Sequence, residues 1–330
     1  MDRYSLATFS TPGKRAAAGV VIDDRIIALD DLLADDAVGP LRRGMSVFDL
    51  LQDWAKVLPS LNAVCAGAKT RGDLVWLNVG DVHLGPPVEG VRQIYCTGAN
   101  YRTHVVHITV DTQTGPEGLS DDGLRKWAED MMDERLANGD PYVFTKPVST
   151  IAGPNDPLIL PRNTVKPDWE IELAVIVGRE GHNVALEDAM SYVAGYAVVN
   201  DISARDHIAR KDYAVLGTDW LKSKGQPGFL PFGPYLVPAQ FVADPYDLKM
   251  RLTVSDQVMQ DETTADMMFD IARQIEYITR YCRILPGDII CTGSPAGNGT
   301  HYNRFLRNGD LMVGEIEGLG TQVIRCVAQT

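Results

Sequence analysis

The sequence predicts an α+β fold, mostly β, with a small N-terminal α+β domain (residues 1–88) before a larger strand-rich domain (residues 89–330). Three observations lead there. Short apolar runs crowd residues 4–31 and give way to a helical pattern over residues 45–67. From residue 142 onward, apolar segments of strand length alternate with Gly and Pro turns. Between these regions lies Asp168-Trp169-Glu170-Ile171-Glu172-Leu173-Ala174-Val175-Ile176-Val177-Gly178, a strand-like run whose two faces both look buried.

In chain order, Tyr4–Phe9, Ala17–Ile22 and Arg25–Leu29 read as strands, with Asp23-Asp24 as a turn. Val47, Leu50, Leu51, Trp54 and Leu58 recur at helical spacing, and Pro86-Pro87 then punctuates the chain. Ile94–Cys96 reads as a strand leading into a polar turn that ends at His104. Residues 105–140 carry no strong core pattern. Leu124–Ala137 has helical composition, and the segment reads either as a lid or as an inserted surface helix. Gly195–Asn200, Leu248–Ser255, Asp288–Thr292 and Asp310–Glu317 read as strands. A helix over Met267–Leu285 buries Met268, Ile271, Ile275, Ile278 and Cys282 as a core stripe.

Composition bounds the function. A 330-residue chain with 45% hydrophobic and 23% charged residues can bury a large core. The net charge of −13 argues against nucleic acid and anionic membrane as partners. No run approaches the roughly 20 apolar residues that span a bilayer, and the first residues lack a signal-peptide pattern, so a cytoplasmic location is expected. Five widely spaced cysteines without a CxxC pair fit buried thiols in a reduced compartment. Dinucleotide, phosphate-loop and nucleophile-elbow motifs are absent from the sequence.

The chemistry gathers at the start of the 168–178 run. On a strand, Glu170 and Glu172 project from one face, their α-carbons about 6–7 Å apart. Ala174 and Ile176 continue that face, while Trp169, Ile171, Leu173, Val175 and Val177 form the other. Two buried carboxylates repel each other and lose hydration, so a positive partner is required, and a hard divalent cation meets the need. Asp201, at the end of Gly195–Asn200, can complete the oxygen set or can cap the next helix.

Several segments, in order, resemble motifs of the fumarylacetoacetate hydrolase family over nearly the whole chain. Gly98-Ala99-Asn100-Tyr101-Arg102-Thr103-His104 resembles its GxNYxxH, and Phe144-Thr145-Lys146-Pro147 with Ser149 its FxKPxS. Asp168 to Leu173 resembles D[YW]ExEL, and Asn200-Asp201-Ile202-Ser203-Ala204-Arg205-Asp206 resembles NDxSARD. Lys224-Gly225 before Pro231-Phe232-Gly233-Pro234 resembles its lysine loop and PxGP. Pro286-Gly287-Asp288 and Thr292-Gly293-Ser294-Pro295-Ala296-Gly297 resemble PGDxIxTGTPAG.

The resemblance implies a β-rich roll, usually dimeric, with Mg²⁺ or Mn²⁺ bound by Glu170, Glu172 and Asp201. It implies that His104 is catalytic and that Lys224 and Ser294 line the substrate pocket; Lys224 is read as catalytic too, and Lys146 and Arg205 as substrate contacts, while Arg102 can meet a substrate carboxylate or form a structural ion pair. The implied substrate is a small 2-oxo or 1,3-dicarbonyl acid, with hydrolytic C–C cleavage of an acylpyruvate as the leading reaction. Hydration, isomerisation and decarboxylation use the same chemistry, and a metal-binding scaffold without catalysis is the non-enzyme alternative. In such reactions a hard cation stabilises the developing enolate charge, and a histidine moves the proton.

Three positions depart from the family pattern. His107 stands where hydrolytic and decarboxylating members carry a glutamate that orients the histidine; either Asp111 or Glu117 substitutes for it on closure, or His107 is a plain surface residue. Ile208 stands where some hydrolases carry a glutamine, which points to a more apolar substrate contact. Pro227 and Gly228 alter the loop after Lys224. Among the remaining residues, His83, His182 and His301 read as surface histidines. Trp169 and Trp220 lie near candidate site residues, with core packing as their default role.

Overall fold

The computed structural model describes residues 2–33 and 37–330. Its N-terminal lobe is a five-stranded sheet in the order Leu77–Asn78, Arg25–Ala28, Ala17–Ile22, Ser5–Ser10, His83–Leu84. The helical pattern of residues 45–67 resolves into Val47–Leu51 and Trp54–Cys65. Ser46 starts the first of these with a capping box to Asp49. Asp53, at φ −139° and ψ 49°, interrupts the run.

A six-stranded sheet forms the centre, in the order Val237–Pro238, Val193–Asn200, Ile171–Val177, Ile289–Cys291, Ile94–Gly98, Tyr142–Thr145. Ile171–Val177 pairs on both sides, antiparallel to Val193–Asn200 and to Ile289–Cys291. Its alternation divides the protein's core. Ala174 and Ile176 pack with the N-terminal lobe around Leu6, Val20 and Leu51. Ile171, Leu173, Val175 and Val177 pack on the other side with Met250, Leu252, Met312 and Ile324. Those last residues belong to a third sheet, in the order Gln257–Thr263, Lys249–Val254, Leu311–Ile316, Gly320–Ala328, Leu158–Leu160. Burial on both faces explains why the strand is nearly continuous in apolar residues.

Residues 105–140 are largely helical. Arg102–Asp111 and Asp121–Asn138 form a helical hairpin, held through Val105, Val106 and Thr109 on the first helix and Leu124, Ala128 and Met132 on the second. The buried positions are few and spread over a charged sequence, so the pattern was faint. The helix near the C-terminus spans Ile271–Tyr281, capped by Asp270. Ile271, Ile275 and Ile278 are buried as expected, but Cys282 is exposed. It follows the last helical residue in extended backbone (φ −125°, ψ 156°), which takes it off the buried stripe. The other four cysteines are buried, and none of the five is in a disulfide. No helix among the described residues is long and apolar enough to cross a membrane.

Candidate active site

The central sheet delivers its functional residues to one end. Ile171 pairs with Asn200, so the start of one strand adjoins the end of its neighbour. The Asp201 amide donates to the Glu170 carbonyl at 2.8 Å, and the Glu170 amide donates to Asn200 Oδ1 at 2.9 Å. These bonds bring Glu170, Glu172 and Asp201 together. All three are buried, and each presents a carboxylate oxygen within 4.8 Å of the other two.

Ile289–Cys291 and Ile94–Gly98 run parallel and end at the same place, delivering Gly293-Ser294 from one strand and the turn to His104 from the other. Gly293 adopts φ 101°, and a Cβ there would lie 2.9 Å from the Thr97 carbonyl, so the two turns meet only because this position lacks a side chain. The Gly293 amide donates to Glu172 Oε2 at 2.8 Å.

Three cations surround the carboxylates. Lys224 Nζ bridges Glu170 Oε2, at 2.6 Å, and Asp201 Oδ2. Arg205 donates from Nε to Asp168 at 2.8 Å and from its guanidinium to Glu170. Lys146 Nζ bonds the other oxygen of Asp201 and the Phe229 carbonyl at 2.8 Å. Four acids (Asp168, Glu170, Glu172, Asp201) therefore face three bases (Lys146, Arg205, Lys224).

Burial and neighbouring charges show where positive charge is short. Burial alone would raise Glu170, but Arg205 and Lys224 overcome it and hold the carboxyl well below its usual range. Glu172 has no such partner: burial, then repulsion from Asp201 and Glu170, pushes it well above its usual value. For Lys224, burial opposes the charge, yet Asp201 and Glu170 raise it far above the usual lysine range. A divalent cation fits this donor set. Three hard carboxylate oxygens converge, one of them lacks a positive partner, and the Lys224 ammonium already stands as a cation between the other two.

These groups open onto a cavity of about 240 Å³, lined also by His104, Ser294, Phe144 and Trp220. His104 lies on the first turn of Arg102–Asp111, and Asn298 Nδ2 is 3.5 Å from its Nδ1. Burial lowers His104 to about 4; Glu170 opposes the shift, and Arg205 and Lys224 add to it. Ser294 Oγ accepts from Gln260 Nε2 at 3.0 Å.

Lys146 does not line the cavity, and Arg102 takes the second of its two expected roles, the structural ion pair. Arg102 turns away from the cavity to pair with Asp133 at 2.6 Å, because the second helix of the hairpin packs beside it. Lys146 sits behind Asp201, fully enclosed, where it fixes that carboxylate. Neither candidate acid for His104 reaches it. Asp111 bonds His301 Nδ1 at 2.7 Å, and Glu117 is exposed in the turn between the helices. His301 is thus no isolated surface residue, since its ring also stacks on His107, with centroids 4.7 Å apart.

The sequence reading also underrated Phe144 and Trp220. Their rings stack 4.5 Å apart, and Lys224 Nζ lies 5.3 Å from the Phe144 centroid. The nearest signal was the FTKP segment itself, which was read for its lysine rather than its phenylalanine.

A sheet-end carboxylate triad that could hold a metal ion shares one cavity with an ammonium and an imidazole. Comparison with known proteins assigns it to a family. The family model "Fumarylacetoacetate (FAA) hydrolase C-terminal" matches residues 93–327, and the chain belongs to the fumarylacetoacetate hydrolase family. It is 34% identical to 2,4-didehydro-3-deoxy-L-rhamnonate hydrolase from Sphingomonas sp. (strain SKA58), over 82% of this chain and 87% of that one. It is 39% identical to the mitochondrial oxaloacetate tautomerase FAHD2B from Homo sapiens, over 57% of this chain and 59% of that one. Among solved structures, maleylpyruvate hydrolase from Sphingobium sp. SYK-6, in complex with manganese(II) and pyruvate, matches at TM-score 0.70 and 26% identity. That match covers 99% of this chain and all of the other.

Proposed function

We propose that the protein is a divalent-metal-dependent hydrolase that cleaves a C–C bond in an acylpyruvate-like acid. The observation that carries this reading is the buried Glu170–Glu172–Asp201 triad, on the same cavity as His104. Mg²⁺ or Mn²⁺ held by those carboxylates would supply Lewis-acid stabilisation for the negative charge that develops on the pyruvyl fragment. The maleylpyruvate hydrolase complex, with manganese and pyruvate, supports that assignment.

The chain's own groups supply the rest. His104, neutral above about pH 4, takes a proton from water as the oxygen adds to the distal carbonyl. The C–C bond then breaks, and its electron pair passes to the pyruvyl enolate. His104 returns the proton to carbon, which releases pyruvate and a carboxylic acid. Lys224 and Arg205 hold positive charge beside the carboxylates and orient the acid group of the substrate. Ser294, fixed by Gln260, offers its hydroxyl to the same cavity. Lys146 orients Asp201.

A tautomerase or isomerase reading has one observation in its favour. Among the described residues no carboxylate bonds His104; its neighbour is the Asn298 amide. A lone imidazole suffices to carry a proton between carbon and oxygen, whereas activating water benefits from an orienting acid. The oxaloacetate tautomerase relatives support this second reading.

The deciding experiment incubates the protein with Mg²⁺ or Mn²⁺ and acetylpyruvate, and follows pyruvate release. Metal-dependent release that disappears in Glu172→Ala is expected for the hydrolase. Accelerated keto–enol exchange without pyruvate would replace it with the tautomerase.

A further inference from the structure

The helix Arg102–Asp111 meets the short helix Gly299–Tyr302 and its cap at three successive places. His104 faces Asn298, whose Nδ2 lies 3.5 Å from its Nδ1. His107 stacks on His301, with ring centroids 4.7 Å and planes 15° apart. Asp111 then accepts from His301 Nδ1 at 2.7 Å. Residues 104, 107 and 111 follow one another at three- and four-residue spacing, so they share one face of their helix. Asn298 and His301 are also three apart, and the Asn298 side chain caps its helix by accepting from the His301 amide at 3.3 Å. The two helices therefore meet in register. A rotation of the first helix that moved His104 would slide His107 off His301.

The contacts differ in what they can fix. A hydrogen bond of 3.5 Å is too long to hold an imidazole. The ring stack offers contact area in a defined geometry. Its outer ring is itself anchored, by Asp111 and by the edge of Tyr302, whose hydroxyl donates to the Met259 carbonyl at 2.9 Å. His107 Nδ1 is buried without a hydrogen-bond partner among the described residues, so that atom adds nothing to the contact and the ring face carries it. The helix's other polar anchors, Thr103 to Asp266 and Arg102 to Asp133, lie at its first residues.

We infer that His107 and His301 are positioning residues: their stacked rings set the orientation of the helix that carries His104. The inference rests on His104 as the proton carrier of the proposed function, in either of its readings, and adds two residues that do not line the cavity.

The test measures kcat and KM of the Mn²⁺-loaded protein on acetylpyruvate, by pyruvate release and by keto–enol exchange. His107→Ala is expected to lower kcat by about 10–100-fold, the cost of misplacing a reacting group by about 1 Å, with KM and Mn²⁺ affinity little changed. His107→Phe keeps a ring to stack and should recover kcat to within about 3-fold of wild type. His301→Ala should reproduce the loss, also where His107→Ala folds poorly, and the double variant should lose no more than the slower single one. Ring ¹⁵N resonances of the six histidines in the Mg²⁺-loaded protein, with His104 assigned from His104→Ala, read the same contact without turnover. The His104 resonance should move in His107→Ala and return in His107→Phe. Wild-type kcat in His107→Ala, a His107→Phe as slow as His107→Ala, or additive losses in the double variant would overturn the inference. If the wild-type protein catalyses neither reaction, the hydrolase and tautomerase readings fall and the resonance decides. An unmoved His104 line in His107→Ala then removes the inference, and a line that moves and is restored by Phe leaves it standing.

Discussion

The two walls of the cavity are built differently. The carboxylate wall hangs from paired strand ends, and its side chains are cross-linked: Asp201 by Lys146 and Lys224, Glu170 by Lys224 and Arg205, Arg205 again by Asp168. The histidine wall is a single helix packed over the site. Its N-terminus is fixed by Asp266, which accepts from the Thr103 amide at 2.8 Å, since Tyr101 at the cap position offers no side-chain bond. His104 itself has only the 3.5 Å approach of Asn298 among the described residues. A metal site needs its ligands held before the ion arrives, whereas an acid–base group can be aligned by substrate and closure. The difference separates a cross-linked part of the site from a part whose imidazole has a single long contact.

The sharpest way to break that contrast is to remove a ligand from the rigid wall. Glu172→Gln should lower metal affinity and turnover by more than the roughly 10–100-fold of an outer-shell change. The metal-free variant should nevertheless melt higher than wild type at neutral pH. The sign follows from Glu172, whose folded-state value is raised well above 4.5. The proton stabilises the fold, and that contribution is present at low pH and lost as pH rises toward the elevated value. Calorimetry for Mn²⁺ and a thermal melt with and without the ion measure both effects. A variant that binds Mn²⁺ like wild type would dismantle the ligand assignment.

On the other wall, His104→Ala should lower kcat by roughly 10²–10⁴-fold while metal affinity stays unchanged. The pH profile sharpens the point. With His104 lowered to about 4, mainly by burial, the acid limb of kcat/KM should fall near that pH and leave activity flat above it. At saturating Mn²⁺, where Glu172 is ionised, a limb near the ordinary 6.5 would show that a carboxylate joins His104 in the working enzyme.

Lys146→Met tests the layer behind the rigid wall. It leaves one oxygen of Asp201 without its cation, so a loss of about 10–100-fold in metal affinity is expected. An unchanged affinity would mean that Lys224 alone positions Asp201.

The same contrast explains what was legible in the sequence. The carboxylate wall is written in local spacing: Glu170 and Glu172 alternate on one strand, and the two faces of that strand assort to two separate packing regions as the alternation requires. Asp201 completes the set because neighbouring strands are antiparallel, a long-range fact that spacing left open and the family resemblance supplied. The histidine wall depends on packing between helices of weak amphipathicity. The helix Asp121–Asn138 shows in the helical composition of Leu124–Ala137, but its packing on Arg102–Asp111, the pairing of Arg102 with Asp133 and the stacking of His301 on His107 have no local signature. Lys146 was misplaced for a related reason: a motif lysine does not reveal which side of a carboxylate it occupies.

The smallest effect concerns Asp111. In this structure it pairs with His301, whose ring stacks on His107, and both partners are partly exposed. A pair of that kind contributes at most about 1 kcal/mol, so Asp111→Asn should change kcat/KM by less than about 5-fold. Glu117→Gln, in the exposed turn, should do even less. A larger role is reserved for closure. If binding of a 2-oxo acid moves the helix so that Asp111 leaves His301 for His104, the same substitution would remove the orienting acid and lower kcat by about 10²-fold or more. Substrate affinity would hardly move, because the carboxylate wall stays intact. The two outcomes differ in kcat, in the position of the acid limb, and in hydrogen exchange of residues 102–138 with and without oxalate, once oxalate binding is established. A silent Asp111→Asn with unchanged exchange leaves the histidine wall as it stands here, with His104 acting beside Asn298 and no carboxylate, which is the arrangement that favours proton transfer at carbon over attack by water.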